Sequence, residues 1–358
     1  MNTANLDRIA ASTALALAIA AGAPLAAQAA ACPGEKPESI VINASGGSMA
    51  KSMRAAFSAD FEKIHGITVI DTSPVDFGKL KAMVQSGNVE WTATEIGGQD
   101  IVKAEEEGLL EPIDTSRVDL SGFPEKVRGY KHAFAKSAYS TVLAFSTTAY
   151  KDKPHPTSWA EFWDVKKFPG PRSLRNHPVD NLEYALLADG IAPDKLYPLD
   201  LDRAFKKMDE IAKHITVWWK SGQQPAQLLI DGEVILASGW NGRFYNLIKD
   251  GAPIDIEWNQ GMIKLSVYGI PKGARHACWG QEYLQVMTDP KRQAVYAREI
   301  GYPGLHLDSP KYVDEKLAPY LPTYPANIEK QVWTDIQWWA KHGEAVNERW
   351  NRWMLSHQ

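Results

Sequence analysis

Short runs of β-branched residues alternate with helical patterns in the first third of the chain, and this alternation limits the fold more than any other feature. Ile40–Ala44 and Ile67–Ile70 each predict a strand that leads into a helical pattern, the second over Asp76–Ser86. The pattern returns at Gly97 and Gly98, where a glycine pair precedes another helical segment. Glycine turns between strands and helices aim backbone N–H groups at the polar end of a ligand. The alternation therefore predicts an α/β fold with a mostly parallel sheet and helices on both faces.

Residues 1–31 have the organisation of a secretory signal peptide. Arg8 precedes an Ala- and Leu-rich run, and Ala27-Gln28-Ala29 is a small-residue cleavage site of the A-x-A type. A membrane anchor is disfavoured because the run is Ala-rich and ends in this cleavage signal. Lipidation of Cys32 is also disfavoured, since the expected leucine is missing from the residues before it. We expect export to the periplasm.

Composition and charge narrow the function classes. Hydrophobic residues make up 44% and charged residues 23% of the chain, which are ordinary values for a globular protein. The formal net charge is −4 and there is no basic tract, so nucleic acid and anionic membrane surfaces are not expected partners. The residues after the signal peptide are numerous enough for two domains.

Cys32 and Cys278 are the only cysteines of the sequence. An exported chain can join them in a disulfide that closes a very long loop, and we favour this over two unpaired thiols. With two cysteines and no clustered histidines, a cysteine-rich zinc site is excluded.

The chain is expected to cross twice between two domains. The β-rich segment Tyr139–Phe145 is followed by the turn-rich Lys151–Pro156, and the return is expected near Ser266–Pro271. The predicted divisions are the signal peptide 1–31, a first lobe of 32–143 and 270–330, a second lobe of 144–269, and C-terminal helices over 331–358 that pack on the lobes. The tryptophans of this last segment, which are more often packing residues than ligand contacts, are Trp333, Trp338, Trp339, Trp350 and Trp353.

A strand-to-helix corner at Ser238–Arg243 is the strongest local candidate for ligand contact. An apolar strand, Val234–Ala237, breaks at glycine and delivers Trp240 and Arg243 at the start of a helical pattern. The indole is a flat apolar surface, and the guanidinium is a fork that fits a carboxylate. Taken alone, the segment fits a buried tryptophan and a solvated arginine equally well.

Four short motifs follow one another along the chain: Ala44-Ser45-Gly46-Gly47, Gly108-Leu109-Leu110-Glu111-Pro112-Ile113-Asp114, Trp240-Asn241-Gly242 and Ile270-Pro271-Lys272-Gly273. In this order they resemble ABC-transporter solute-binding proteins of the spermidine/putrescine-binding type, whose relatives bind opines and γ-aminobutyrate. The resemblance implies a type II periplasmic-binding-protein fold, in which two α/β lobes with mixed, mostly parallel sheets are joined by a hinge. It also implies a solute held in the cleft and delivered to a membrane permease with its ATPase. The chain is expected to act as a monomer without a cofactor.

The resemblance also bears on the ligand, because this sequence departs from the polyamine binders. The segment before the Ile-Pro motif, which in those proteins supplies an aromatic residue and an aspartate for an ammonium group, holds Lys264 and Ser266 here. Arg243 follows the Trp-Asn-Gly motif, as in the relatives that bind carboxylate-bearing amines. A dication beside Arg243 and Lys264 would meet like charge at low effective dielectric. We therefore expect a small solute with at least one carboxylate, and Asp180 or Glu183 to receive an amine where the solute has one; a polyamine is the alternative.

The predicted ligand contacts come from both lobes and the hinge. Backbone and polar groups of the first lobe would meet charged and aromatic groups of the second as the lobes close. The residues are Ser45, Gly46, Gly47, Gly97, Gly98 and Gln99 in the first lobe; Arg175, Asn176, Trp240, Arg243, Lys264 and Ser266 in the second; and Tyr139 and Tyr268 near the hinge.

An exported enzyme is the main alternative class. The sequence contains no G-x-S-x-G elbow and no H-E-x-x-H, Walker A or G-x-G-x-x-G motif. Its clustered carboxylates, such as Glu105–Glu107, fit solvated helix faces. Iron(III) capture, known in a neighbouring group of binding proteins, is disfavoured because no Tyr-Tyr pair occurs. We expect no catalytic activity and no metal site.

Overall fold

The computed structural model describes residues 31–357, without the side chains of Gln99 and Lys126. The predicted signal peptide therefore lies outside the described residues, apart from Ala31. Cys32 and Cys278 are joined in a disulfide with their Cα atoms 5.7 Å apart, so the start of the described chain is fixed to a helix 246 residues further on. No helix in residues 31–357 is long and apolar enough to cross a membrane.

The strands of the described residues form one nine-stranded sheet. They are β1 (Ser39–Asn43), β2 (Thr68–Thr72), β3 (Ala93–Gly97), β4 (Phe134–Ser146), β5 (Arg172–Arg175), β6 (Ile215–Trp219), β7 (Leu236–Trp240), β8 (Ile254–Gly269) and β9 (Val332–Trp333). Their order across the sheet is β2-β1-β3-β8-β4-β7-β5-β6, and β9 pairs with β8.

Helices occupy most of the connections between the strands. They are α1 (Ser48–Met53), α2 (Ala59–His65), α3 (Phe77–Ser86), α4 (Ile101–Glu106), α5 (Glu125–Arg128), α6 (Trp159–Trp163), α7 (Pro178–Ala188), α8 (Leu201–Ala212), α9 (Gln224–Ile230), α10 (Asn241–Lys249), α11 (Ala277–Thr288), α12 (Pro290–Ile300), α13 (Pro325–Ile328) and α14 (Ile336–Leu355). A π-helical turn, Arg54–Ser58, joins the first two, and short 3₁₀ turns lie at Gly98–Asp100, Pro193–Lys195, Ser309–Tyr312 and Ala318–Tyr320.

Two groups of parallel strands are joined by two long antiparallel strands. β1 pairs in parallel with β2 and β3, and β5 pairs in parallel with β6 and β7. β4 and β8 pair with each other along most of their length, with register shifts between Ala135 and Ser137 and between Thr141 and Leu143. β3 joins only the end of β8, from Ser266 to Gly269, whereas β7 joins only the second part of β4, from Thr141 to Phe145. The mixed sheet thus has two halves that share β4 and β8, which confirms the predicted two-lobe α/β fold.

Each half of the sheet has its own hydrophobic core. In the first half, Phe57, Phe61 and Tyr283 belong to one buried cluster. In the second half, Trp159 stacks on Tyr184 with ring centres 3.5 Å apart. Helix α14 contributes buried indoles to this second core, namely Trp339, Trp350 and Trp353. Trp338 of the same helix packs against the core, whereas Trp333 on β9 is 39% exposed.

Candidate ligand-binding site

A cavity of about 250 Å³ lies where the two halves of the sheet meet. Its walls carry carboxylates, cationic groups and aromatic rings, and its volume suits a small organic solute. The lining residues are Ser45, Met49, Val75, Asp76, Phe77, Leu80, Thr94, Glu95, Ile96, Gly97, Asp100, Tyr139, Arg175, Val179, Trp240, Arg243, Lys264, Ser266 and Tyr302.

Most of the predicted ligand contacts lie on this cavity. They come from the loop after β1, from β3, β4, β5 and β8, and from the corner between β7 and α10. Their shared position brings together residues far apart in sequence, and their role as ligand contacts stays a prediction. The predicted residues that line the cavity are Ser45, Gly97, Tyr139, Arg175, Trp240, Arg243, Lys264 and Ser266.

The predicted glycines Gly46, Gly47 and Gly98 shape the backbone beside the cavity and do not line it. Gly47 has a φ of 69°, the left-handed conformation that favours glycine, and it directly precedes α1. A Cβ on Gly98 would lie 2.8 Å from the backbone oxygen of Leu265, so only glycine lets this turn approach β8.

Asn176 and Tyr268 also lie outside the lining, contrary to the expectation that they face the ligand. The amide oxygen of Asn176 accepts a hydrogen bond of 3.1 Å from the indole N–H of Trp350, so this side chain supports α14. Tyr268 is fully buried, and the ammonium of Lys136 lies 5.3 Å from the centre of its ring. Both are therefore packing residues in this structure. The side chain of Gln99 is not among those described.

Asn241 anchors the corner that presents Trp240. Its amide oxygen accepts a 2.9 Å hydrogen bond from the backbone N–H of Ser140, and its amide nitrogen donates to the backbone oxygen of Gly301 at 2.9 Å. The sequence predicts a strand that ends at Ala237, but pairing with β4 extends β7 to Trp240. The corner thus begins at the indole itself, and α10 starts one residue later.

Two guanidinium groups form the cationic wall of the cavity. Arg243 is 5% exposed and donates from Nη1 to the hydroxyl of Ser48. The guanidinium carbon of Arg175 lies 5.4 Å from the centre of the Trp240 ring and 5.6 Å from that of Trp219. Within residues 31–357, neither guanidinium makes an ion pair with a carboxylate, and Arg243 Nε and Trp240 Nε1 are buried without an acceptor. Buried donors need acceptors, so this wall has the chemistry of a receptor for an anionic group.

Glu95 is the buried carboxylate of the opposite side of the cavity. It accepts hydrogen bonds from the hydroxyl of Ser266 at 2.6 Å and from the backbone N–H of Ser45 at 2.9 Å. Burial raises the pKa of Glu95, but the positive charge of Lys136 and these hydrogen bonds more than offset it, so the pKa lies below its ordinary value. Glu95 is therefore an ionised group that ties the loop after β1 to β8.

Lys264 lines the cavity, but its charge is already balanced. Its ammonium forms a buried ion pair with Asp180 and donates to the hydroxyl of Thr141 at 3.0 Å. The same hydroxyl donates to the second oxygen of Asp180 at 2.7 Å. Burial lowers the pKa of Lys264, and attraction to Asp180 opposes that shift. The sequence predicts that Lys264 repels a dication and that Asp180 could receive a ligand amine, whereas in this structure the two residues neutralise each other.

Glu183 faces α14 and not the cavity. One carboxyl oxygen accepts hydrogen bonds from the hydroxyl of Tyr197 at 2.6 Å and from the indole N–H of Trp339 at 2.7 Å. Burial, together with the negative charge of the nearby Asp180, raises the pKa of Glu183 to about 7. The expectation that Glu183 receives a ligand amine is therefore not supported by its position.

Several acidic and apolar lining residues were missed by sequence reasoning. The sequence predicts Asp76 only as the start of a helix, and its side chain does accept a 2.9 Å hydrogen bond from the backbone N–H of Lys79. Glu95 carries a signal that could have been used, because a carboxylate inside a buried strand is uncommon. The other lining residues that were not predicted include Met49, Phe77, Asp100 and Tyr302.

A two-lobe α/β fold with a small, charged cavity between the lobes defines a solute-binding protein. A family profile described as "Bacterial extracellular solute-binding protein" matches residues 56–323, and the chain belongs to this family. It is the substrate-binding component of an ABC transporter. Members of this class bind small-molecule solutes and work with permease and ATPase components.

Comparison with individual proteins supports the same assignment. The chain is 30% identical over 327 residues to the γ-aminobutyric acid-binding protein of Pseudomonas aeruginosa, covering 88% of this chain and 91% of that protein. It is 24% identical over 302 residues to spermidine/putrescine-binding periplasmic protein 1 of Haemophilus influenzae, covering 80% and 81%. Among solved structures, an ABC transporter substrate-binding protein from Bradyrhizobium japonicum is 40% identical, with a TM-score of 0.83 over 88% of this chain and 99% of that one. The binding protein AgtB of A. tumefaciens, in complex with agropinic acid, is 30% identical, with a TM-score of 0.82 over 90% and 100%.

Proposed function

We propose that this protein captures a small amino-carboxylate solute. The carboxylate would lie against the guanidiniums of Arg175 and Arg243 and the indole N–H of Trp240, and the amine would point towards the acidic side of the cavity. The observation that carries this proposal is the pair of guanidiniums that have no carboxylate partner within the described part of the chain. A ligand carboxylate would supply the acceptors that the buried Arg243 Nε and Trp240 Nε1 lack, and it would balance the charge of Arg175.

The relatives support this class of solute. One is named for γ-aminobutyric acid, which carries one carboxylate and one amine, and another was solved with agropinic acid. The spermidine/putrescine-binding relatives match at lower identity. A polyamine would place ammonium groups beside Arg175 and Arg243, whose charges are not balanced by neighbouring carboxylates.

Lobe closure over the solute is the proposed mechanism. The division between the lobes would run through β4 and β8, because β3 pairs only with the end of β8 and β7 pairs only with the second part of β4. The register shift between Thr141 and Leu143 supports the predicted boundary near residue 143. On β8 the same level lies at Glu257–Met262, so we propose that the return to the first lobe comes before residue 269. A solute that contacts both lobes would favour the closed form.

Export and delivery complete the proposal. After removal of the signal peptide, the protein would act in the periplasm as a monomer and pass its solute to an inner-membrane permease driven by an ATPase. The family assignment supports an extracellular or periplasmic site of action.

Three probes of matched chain length test the ligand class: γ-aminobutyrate, butyrate and putrescine. They carry both groups, the carboxylate alone and two amines, respectively. Thermal melts with each probe detect binding, and calorimetry then measures the affinity. We expect saturable binding of γ-aminobutyrate, weaker binding of butyrate and no binding of putrescine. Native mass spectrometry of the freshly purified protein would show a retained solute. Binding of putrescine without binding of either carboxylate would overturn the proposal.

A further inference from the structure

Lys264, Asp180, Thr141 and Tyr139 form a compact ammonium-binding cluster beside the cavity. The ammonium contacts one carboxylate oxygen of Asp180 and the hydroxyl of Thr141, and Thr141 also donates to Asp180. The centre of the Tyr139 ring lies 5.7 Å from the ammonium nitrogen. A carboxylate, a hydroxyl acceptor and an aromatic face are the groups that recognise an alkylammonium ion.

We propose that Lys264 is a tethered ammonium ion that occupies an amine subsite made by Asp180, Thr141 and Tyr139. In this arrangement the protein supplies its own amine to a site that would otherwise accept one from the solute. The inference rests on the proposed function and deepens it. Because Lys264 already occupies the carboxylate of Asp180, a solute with two amines would find only the acidic side of the cavity open to it.

The lining of the cavity supports this position for Lys264. Lys264 and Tyr139 line the cavity, whereas Asp180 and Thr141, each 1% exposed, do not. The lysine side chain therefore lies between the cavity and the carboxylate. Removing it beyond Cβ would extend the cavity to Asp180 and leave a buried carboxylate without its cation, a state that favours binding of another cation or protonation.

The backbone at Asp180 is consistent with a site built around the carboxylate. Asp180 has a φ of 76°, in the left-handed region that a non-glycine residue seldom adopts, and it lies in the first turn of α7. Such a conformation persists only where the surroundings hold it. Here the contacts to Lys264 and Thr141 hold the side chain of Asp180. The positive charge of the nearby Arg175 opposes protonation of Lys264.

The test replaces the tethered amine by a free one. Lys264→Ala removes Cγ, Cδ, Cε and the ammonium, which together correspond to n-propylammonium. Wild type, K264A and the double variant K264A/D180N are melted with increasing n-propylammonium chloride, and sodium chloride keeps the ionic strength constant. We expect a saturable rise in Tm for K264A, an affinity at least tenfold higher than that of the double variant, and no saturable rise for wild type.

Two controls separate recognition of the amine from simple filling of space. The neutral analogue 1-propanol should not stabilise K264A, and Lys264→Met, which fills the space without charge, should not respond to n-propylammonium. Equal responses in K264A, K264M and K264A/D180N would overturn the proposal. If K264A does not fold alone, recovery of folding by refolding with n-propylammonium supports the proposal, and failure to recover overturns it.

The outcome is independent of the natural solute. Binding of γ-aminobutyrate to the wild type is measured separately, so a failure there contradicts the proposed function alone. An amine response of K264A would still assign the subsite, and its absence would leave the binding of γ-aminobutyrate by the wild type unaffected.

Discussion

Replacing Arg243 with alanine tests the cationic wall directly. The guanidinium is 5% exposed, makes no ion pair within residues 31–357 and keeps an unpartnered Nε. If it receives the solute carboxylate, the variant loses one partner of a buried, charge-assisted hydrogen bond. That loss costs about 2–4 kcal/mol, which corresponds to binding weaker by about 30- to 700-fold.

The stability of the unliganded protein should respond much less. R243A loses the hydrogen bond to Ser48, worth about 0.5–1.5 kcal/mol, but it also removes a buried donor without an acceptor, which costs about 1–3 kcal/mol when left unsatisfied. These effects have opposite signs. The free energy of unfolding without ligand should therefore remain within about 1 kcal/mol of the wild type or rise.

Calorimetry with γ-aminobutyrate measures the affinity, and urea denaturation measures the stability. The matched control is Arg349→Ala, because this arginine on α14 is more exposed and pairs with Asp202 at 2.8 Å, away from the cavity. The control should bind γ-aminobutyrate like the wild type. An R243A affinity within about 0.5 kcal/mol of the wild type, the usual effect of a surface substitution, would refute the placement of the carboxylate.

Three further predictions follow from other contacts. Ser48→Ala removes the hydroxyl that accepts hydrogen bonds from Arg243 and, at 3.1 Å, from Gln223, which both belong to connections in the other half of the sheet. If these contacts favour the closed form, calorimetry should show γ-aminobutyrate binding weakened by about 0.5–1.5 kcal/mol per lost hydrogen bond; unchanged affinity would contradict this role. Burial raises the pKa of Glu183 from 4.5 to about 7, so its contribution to stability is present below pH 4.5 and is lost as the pH rises through 7. In urea denaturation, the difference in unfolding free energy between Glu183→Gln and wild type should therefore shift by about 3 kcal/mol in favour of the variant as the pH rises from about 4 to 8. A difference that does not change with pH would be evidence against this. Reduction of the Cys32–Cys278 disulfide should lower the unfolding free energy by about 2–5 kcal/mol, and a denaturation midpoint insensitive to reductant would count against this.

The parts of the fold that depend on local periodicity could be predicted from the sequence. The predicted strand and helix over Ile67–Ile70 and Asp76–Ser86 overlap β2 and α3, and Asp76 caps the helix. The extent of β8 could not be predicted in the same way. Residues 254–258 and 265–267 each alternate apolar and polar side chains as a strand does, but the alternation breaks at residues 259–261. Pairing with β4, more than 100 residues away, makes the two parts one strand. Such pairing has no local signature.

The candidate site divides along the same line. The corner at Trp240 and Arg243 could be predicted because a strand, a glycine and a helix start lie next to each other in the sequence. The charge state of the cavity could not, since the partner of Lys264 is Asp180, 84 residues earlier. Tyr268 lies two residues after Ser266 on β8, yet the cavity ends between them and Tyr268 is buried beside Lys136. Residue spacing along a strand selects a face, but the neighbouring elements decide which part of that face remains open.

The balance of charge in the cavity decides between a diamine and an amino-carboxylate. Lys264 and Asp180 cancel, and Glu95 faces the charge of Lys136, so among the described residues that line the cavity the cations without a carboxylate partner are Arg175 and Arg243. An ammonium at about 4 Å from a guanidinium would be repelled by about 4 kcal/mol at an effective dielectric constant of 20, and a carboxylate would be attracted by as much. Attraction of the second amine to the exposed carboxylate of Asp76 is screened by solvent and salt, so Asp76 contributes little against that difference. The carboxylate therefore supplies the electrostatic affinity, and the amine mainly selects among carboxylates.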